Sequence, residues 1–226
     1  MKQNSIAYIE FTGRDLVTGK IFDTTSEEVA KENNIYDQNK KYGPLPIIVG
    51  IGEIIKGIDE MLLQMEENES KKSIISADKG FGQRRKELIV LVPLAEFTKR
   101  KIQPFPGLIV EVNGAYGRVQ TVSGGRVRVD LNSDLAGHDL EYEVKVVKEV
   151  KDKNEKAQII VEKFFPLKEK PIAKIVNEKL LIEMDKSKAQ KLSQVIPIFV
   201  KKVKEMMPEI KEVEFVEKEQ KQEKTS

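Results

Sequence analysis

Val49-Gly50-Ile51-Gly52-Glu53-Ile54-Ile55-Lys56-Gly57-Ile58 is the stretch whose reading decides the fold. It is led in by Pro44-Leu45-Pro46-Ile47-Ile48, which reads as a strand; from Glu53 onward Ile54, Ile55, Ile58, Met61, Leu62 and Met65 fall at helical spacing. That helix has one apolar stripe to bury. Toward the N-terminus, Ser5 to Phe11 alternates and stops at Thr12-Gly13, a strand closed by a turn, and a second strand ends at Ile21-Phe22-Asp23. Residues 24–43 are a polar excursion in which Thr25, with Glu28 three residues on, opens a short helix that Asn33-Asn34 ends. Toward the C-terminus, residues 71–76 form a further strand and Asp78-Lys79-Gly80-Phe81-Gly82 a loop.

The texture changes beyond residue 87. Ile89-Val90-Leu91-Val92-Pro93 opens a segment of short β-branched strands punctuated by glycine, and Gly124-Gly125 supplies the positive φ angles of a tight hairpin. Leu140 to Val146 alternates as a half-buried strand does. The charged run 151–156 is the best linker candidate. The unit beyond it is expected to hold strands near 157–161 and 180–184, and a helical stretch with Leu192, Val195, Ile196, Phe199, Val200, Val203, Met206 and Met207 on one face. Pro197 should kink or break that stretch. A last strand is expected over 212–216, and a disordered polar tail over 217–226.

Composition removes several classes of function. The chain has 226 residues with 39 Lys plus Arg against 37 Asp plus Glu, a net charge of +2 that gives nucleic acid or an anionic membrane no field to follow. It has no cysteine and a single histidine, His138, so thiol chemistry, disulfides and multi-histidine metal sites are excluded, and His138 reads as a solvated loop residue. No run approaches the roughly 18 apolar residues of a membrane span, and a soluble cytoplasmic protein is expected.

The order strand, Phe11-Thr12-Gly13, Phe22-Asp23, polar excursion, apolar strand, Val-Gly-x-x-Glu-Ile-Ile-Lys-Gly-Ile helix and Asp78-x-x-Phe81-Gly82 loop resembles the FKBP-type peptidyl-prolyl isomerases. The segment that interrupts it, closing in Val129-Asp130-Leu131-Asn132-Ser133-Asp134-Leu135-Ala136-Gly137, is similar to the chaperone insert of the SlyD-like branch, and the C-terminal extension to that of its long archaeal members. The resemblance implies an α+β fold: an antiparallel sheet wrapped on a short helix (1–86 with 137–150), an inserted small all-β domain (87–136) and a C-terminal α+β domain (151–226). It also implies a prolyl-binding basin made of Phe11, Phe22, Asp23, Ile54, Ile55, Ile58, Phe81 and Tyr142, with Leu45 beside it. Ile55 matches the residue whose backbone N–H meets the substrate carbonyl, and Asp23 the acid at the basin edge. Phe11 and Phe81 stand where the best-known members carry tyrosine, and Ile58 where they carry tryptophan.

Taken singly, Phe11, Phe22, Tyr142 and the isoleucines are better read as core, Asp23 as a turn cap and Phe81 as a loop anchor; their joint order is what marks a site. The implied activity is isomerisation of X-Pro bonds in unfolded or proline-containing polypeptides, with no cofactor and no metal. In the insert, Ile89, Leu91, Leu94, Phe97, Phe105, Leu108 and Val110 are the candidate client-binding residues, because about 50 residues can hide only part of their apolar surface. A non-catalytic holdase or proline-peptide-binding assembly module is the alternative. The Leu192 to Met207 face is expected to form a homodimer, with packing on the unit's own strands as the other reading.

Overall fold

The computed structural model describes residues 1–217. The remainder of the polar tail lies outside the described residues. Strand β1 (Ile6–Asp15) organises the first sheet. It pairs antiparallel with β9 (Leu140–Glu149) on one side, and on the other with β2 (Ile21–Thr24) at its C-terminal half and β3 (Leu45–Ile48) at its N-terminal half. Strand β4 (Ser70–Ile75) joins β9, giving the order β2-β1-β9-β4. Because β2 and β3 share one edge of β1, the excursion between them, with α1 (Glu27–Glu32), has to leave the sheet and return.

One face of this sheet presents Ala7, Ile9, Leu140, Tyr142, Val144 and Val146 to α2 (Lys56–Leu62), which answers with Ile58, Met61 and Leu62. Each large aliphatic side chain buried there contributes about 1.5–3 kcal/mol. The helix begins at Lys56, later than its apolar periodicity suggests. The Asp59 carboxylate accepts the N–H groups of Gly50 at 2.7 Å and Gly52 at 2.9 Å, and Glu53 Oε2 accepts that of Ile48 at 2.9 Å. These bonds hold 49–53 as a loop, so Ile54 and Ile55 leave it before the helix starts. Two local expectations shift similarly. Ser26, not Thr25, caps α1, since Thr25 Oγ1 is taken by the N–H of Phe11 at 2.9 Å. Strand β1 also runs through Gly13 to Asp15, absorbing the glycine at a register shift beside Arg14.

The interrupting segment forms its own four-stranded antiparallel sheet, β5 (Ile89–Pro93), β6 (Ile109–Val112), β7 (Ala115–Ser123) and β8 (Arg126–Asp130), in the order β5-β8-β7-β6. Gly124 and Gly125, at φ +57° and +71°, make the tight β7–β8 turn. Helix α3 (Leu94–Lys99) brings Phe97 onto one face, against Val110, Val119, Val127 and Val129.

The C-terminal part departs most from the sequence reading. Residues 153–164 are helix α4 (Lys153–Phe164), not a linker followed by a strand. Asp152 caps it, accepting the N–H of Glu155 at 2.7 Å, and burial of Ala157, Ile160 and Val161 on one face overrides the β preference of the Ile-Ile-Val run. Strands β10 (Ile172–Val176) and β11 (Lys179–Met184) form a hairpin. The chain then crosses through α5 (Lys186–Lys191) and α6 (Ile196–Met206), and β12 (Glu212–Glu217) lies parallel to β11. Pro197 sits in the first turn of α6, where its missing N–H costs nothing, so the long helix is indeed divided. Much of the apolar stripe expected to dimerise is consumed internally: Phe199, Val203 and Met207 are buried with Phe165, while Ile198 stays 64% exposed. The same core takes in Ile6 and Ile48 of the first sheet and Val150 just after β9.

Candidate active site

At the open end of the first core, β1, β2 and β9 and the loop after β4 bring aromatic rings together. Phe22 is edge-on to Tyr142 at 5.7 Å between centroids and to Phe81 at 6.1 Å, and Phe11 lies 6.0 Å from Tyr142. Such edge-to-face pairs are worth about 0.5–1.5 kcal/mol beyond the area they bury. Ile54 and Ile55 are half-buried against the same cluster and Ile58 is buried in it. Phe81 is held over solvent, 41% exposed, by a 3₁₀ turn over Ala77–Lys79. That turn is tied to the strand leading into β9: the N–H of Ala77 donates to Asp139 Oδ1 at 2.9 Å, and that of Gly137 to the carbonyl of Gly82 at 2.8 Å. The eight residues named for the basin thus converge, apart from a rim position for Asp23. Leu45 does not join them; it lies opposite Ile9 on β3 and is 42% exposed.

Three polar features sit around these rings. No partner takes the Ile55 N–H among the described residues, so it is available to a carbonyl entering the basin. Burial first, and then the nearby negative charge of Asp23, push the Tyr142 phenol far above its ordinary value, so it remains a neutral hydroxyl at any physiological pH. Asp23 pairs with Lys40, whose ammonium also donates to the Thr24 carbonyl at 3.0 Å. Lys40 comes from the excursion and so ties it down at the basin edge. Among the described residues, Lys40 is the cation paired with Asp23.

Sequence reasoning missed Lys40, Asp59 and the role of Gly13. A Cβ at Gly13 would lie 2.8 Å from Phe22 Cζ and 2.9 Å from Tyr142 Cε1, so only glycine lets the two rings close over β1. A glycine inside an alternating strand is a signal of close approach that could have been read. Lys40 and Asp59 carry no such local mark. His138 is not simply solvated: its Nδ1 meets Asp15 Oδ1 at 3.1 Å.

In the insert, the candidate client-binding residues separate by face. Phe97 and Val110 are 2% and 4% exposed and form its core, with Leu94 and Leu108 packed against them, so they cannot meet a client without unfolding the insert. Leu91 and Phe105 are 60% and 57% exposed, and Ile89 lines an open groove with Leu91. Alternation alone could not tell these two faces apart.

An apolar, aromatic basin with an open Ile55 N–H is matched by what the chain is similar to. The family model described as FKBP26, IF domain, matches residues 90–135. A short-type peptidyl-prolyl cis-trans isomerase of Methanocaldococcus jannaschii is 38% identical over 130 residues, spanning 58% of this chain and 83% of that protein. The chain belongs to the FKBP-type peptidyl-prolyl isomerases. A probable FKBP-type 16 kDa peptidyl-prolyl cis-trans isomerase of Pseudomonas fluorescens is 25% identical over 109 residues, 46% of this chain and 71% of that one. Among solved structures, the three FKBP domains of wheat FKBP73 align with a TM-score of 0.35 at 14% identity, covering 67% of this FKBP-type chain and 40% of theirs.

Proposed function

We propose that this FKBP-type isomerase is a folding helper: the insert holds an unfolded polypeptide weakly while the aromatic basin isomerises its X-Pro bonds. The observation that carries the catalytic half is the ring of Phe11, Phe22, Phe81 and Tyr142 beside the unpaired Ile55 N–H. An X-Pro bond is held planar by delocalisation of the nitrogen lone pair, behind a barrier of roughly 18–20 kcal/mol. Twisting it withdraws charge from the carbonyl oxygen, and water, which solvates that charge, favours the planar form. A dry basin removes this solvation, and a pocket that grips the prolyl ring lets the rest of the amide turn, so the twisted form is bound better than either planar one. Ile55 N–H anchors a substrate carbonyl, and Tyr142 keeps its proton available to donate because its phenol does not ionise. Nothing in this scheme needs a metal or a cofactor.

The capture half is supported by the exposed apolar residues of the insert, Leu91 and Phe105, which stand outside its core. Tethering a client beside the basin raises its effective concentration without any contact to the proline, relaxing sequence preference. Clients of this kind, and a cytoplasmic location, belong to this proposal. It is tested by the refolding of a protein limited by prolyl isomerisation, compared with turnover of a short prolyl peptide. The expected result is acceleration of both, with the protein substrate favoured, and loss of both in Phe22→Ala. Suppressed aggregation with no acceleration would instead mark a holdase, and equal efficiency on both substrates would remove the capture step.

A further inference from the structure

The outer face of the insert's sheet is not uniformly apolar. Among the described residues its edge strand β5 pairs only with β8, and together they border an open groove of about 480 Å³ lined by Arg84, Lys86, Ile89, Leu91 and Arg128. Leu91 lies directly across from Arg128, with Arg126 the next outward residue along β8. Of the three lining cations, only Arg84 has a carboxylate partner among the described residues, Asp130. That carboxylate is buried and committed, accepting Gln120 Nε2 at 2.8 Å and the backbone N–H and side-chain amide of Asn132 at 2.9 and 2.7 Å. Lys86 and Arg128 are exposed and, among the described residues, have no acidic partner. Among the described residues, none that lines the groove is acidic. In a chain whose charges otherwise nearly cancel, this is a local positive excess set around two aliphatic side chains.

We propose that this groove selects extended polypeptide segments in which apolar residues alternate with Asp or Glu. The inference deepens the capture reading and rests on it. An apolar side chain of the segment covers Ile89 and Leu91, while its carboxylates meet Arg128 and Lys86 in the pairing those cations otherwise lack. A lysine-rich segment of equal hydrophobicity meets like charge instead. The groove starts at Arg84, three residues from Phe81 of the basin, a span of at most about 10 Å of extended chain. A segment seated in it therefore leaves its neighbouring residues close to the isomerase site, and prolines a few residues from acidic-apolar sequence become the favoured substrates.

Fluorescence anisotropy on the full chain tests this with two labelled, proline-free peptides that share their apolar residues and differ in carrying two Glu or two Lys. The expected outcome is about fivefold tighter binding of the Glu peptide at low salt, the sum of two partly exposed pairs. That advantage fades at ~0.5 M salt. Lys86→Glu with Arg128→Glu reverses it, and the milder Lys86→Gln with Arg128→Gln abolishes it. Equal binding of the two peptides, or a preference that both variants leave unchanged, overturns the charge selection while leaving capture intact. If neither peptide binds, capture fails and this inference fails with it. Displacement of the Glu peptide by a single-stranded oligonucleotide at lower concentration than by unlabelled Glu peptide would assign the groove to nucleic acid. A particle mass in light scattering that halves in the Glu variants would assign it to a second copy of this chain.

Discussion

The two additions to the FKBP sheet are attached in opposite ways. The insert closes a core of its own around Phe97 and meets the sheet through a polar neck. There Arg84 pairs with Asp130, the N–H of Arg85 donates to Asn132 Oδ1 at 2.9 Å, and Asn132 Nδ2 returns a bond to the Arg85 carbonyl at 2.9 Å. Among the described residues, the C-terminal unit has no private core. Phe165, Phe199 and Val203 share theirs with Ile6, Ile48 and Val150, and Lys163 pairs with Glu53 of the loop before α2. A polar neck fixes direction without coupling stabilities, whereas a shared apolar core makes two regions unfold together. The insert should behave as a replaceable module and the C-terminal unit as a part of the enzyme body.

Two substitutions of the same kind break this comparison most directly. Phe165→Ala should cost about 3–5 kcal/mol and lower the denaturant midpoint of the whole body, isomerase site included. Two separate transitions, with the basin unaffected, would show that the C-terminal unit is as independent as the insert. Phe97→Ala removes a buried ring of equal size, also worth about 3–5 kcal/mol, yet its effect should stop at the neck: capture of unfolded protein is lost while turnover of a short prolyl peptide persists. Loss of peptide turnover would mean that the cores are coupled after all.

The neck itself comes next. Asp130→Ala leaves the amide of Gln120 and the donors of Asn132 without their acceptor and should destabilise the insert by about 2 kcal/mol, read by hydrogen exchange in β8. A smaller effect is pH-dependent. Burial favours the neutral form of Asp15, but the Thr18 hydroxyl, the Val17 N–H and His138 outweigh it and hold the acid below its ordinary value. Its contribution to stability is therefore complete above the unfolded value of about 3.9 and is lost as pH falls through the lower folded one. Asp15→Asn should thus be less stable than the parent at neutral pH by about 1 kcal/mol, with the gap closing below about pH 4. A gap that widens in acid would mean the carboxyl is favoured in its neutral form. Smallest is Lys40→Ala. Its partly exposed pair with Asp23 is worth under about 1 kcal/mol, so unfolding should barely change while turnover of a prolyl peptide falls a few-fold. An unchanged rate would show that Asp23 needs no partner.

How much of this was legible beforehand follows the same division. The basin could be read because its residues come in a fixed order along the chain and each carries a distinctive type, Phe22-Asp23 and Ile54-Ile55 among them. The insert's strands were legible, but not which side of them faces inward, since Val110 and Leu91 look alike until α3 is seen to cover one face. Around the C-terminal unit the sequence reading failed for a reason of distance. A β-branched run such as Ile159-Ile160-Val161 is a strand by local preference, and only burial against residues as remote as Ile6 makes it a helix. Lys40 escaped for the same reason, because nothing near it in sequence reports that Asp23 lies within reach.

One core holds Ile6 and Ile210 together, and its last parallel strand, β12, can pair with β11 only after α5 and α6 have been made. During synthesis, then, β1 waits for residues as far along as Ile210 to leave the ribosome before its outer face is covered, while the insert has everything it needs long before. Contacts so distant in sequence form slowly and leave apolar surface open in the meantime. The order of events on the ribosome would put a finished insert beside an unfinished body, and the first unfolded polypeptide within its reach would be its own.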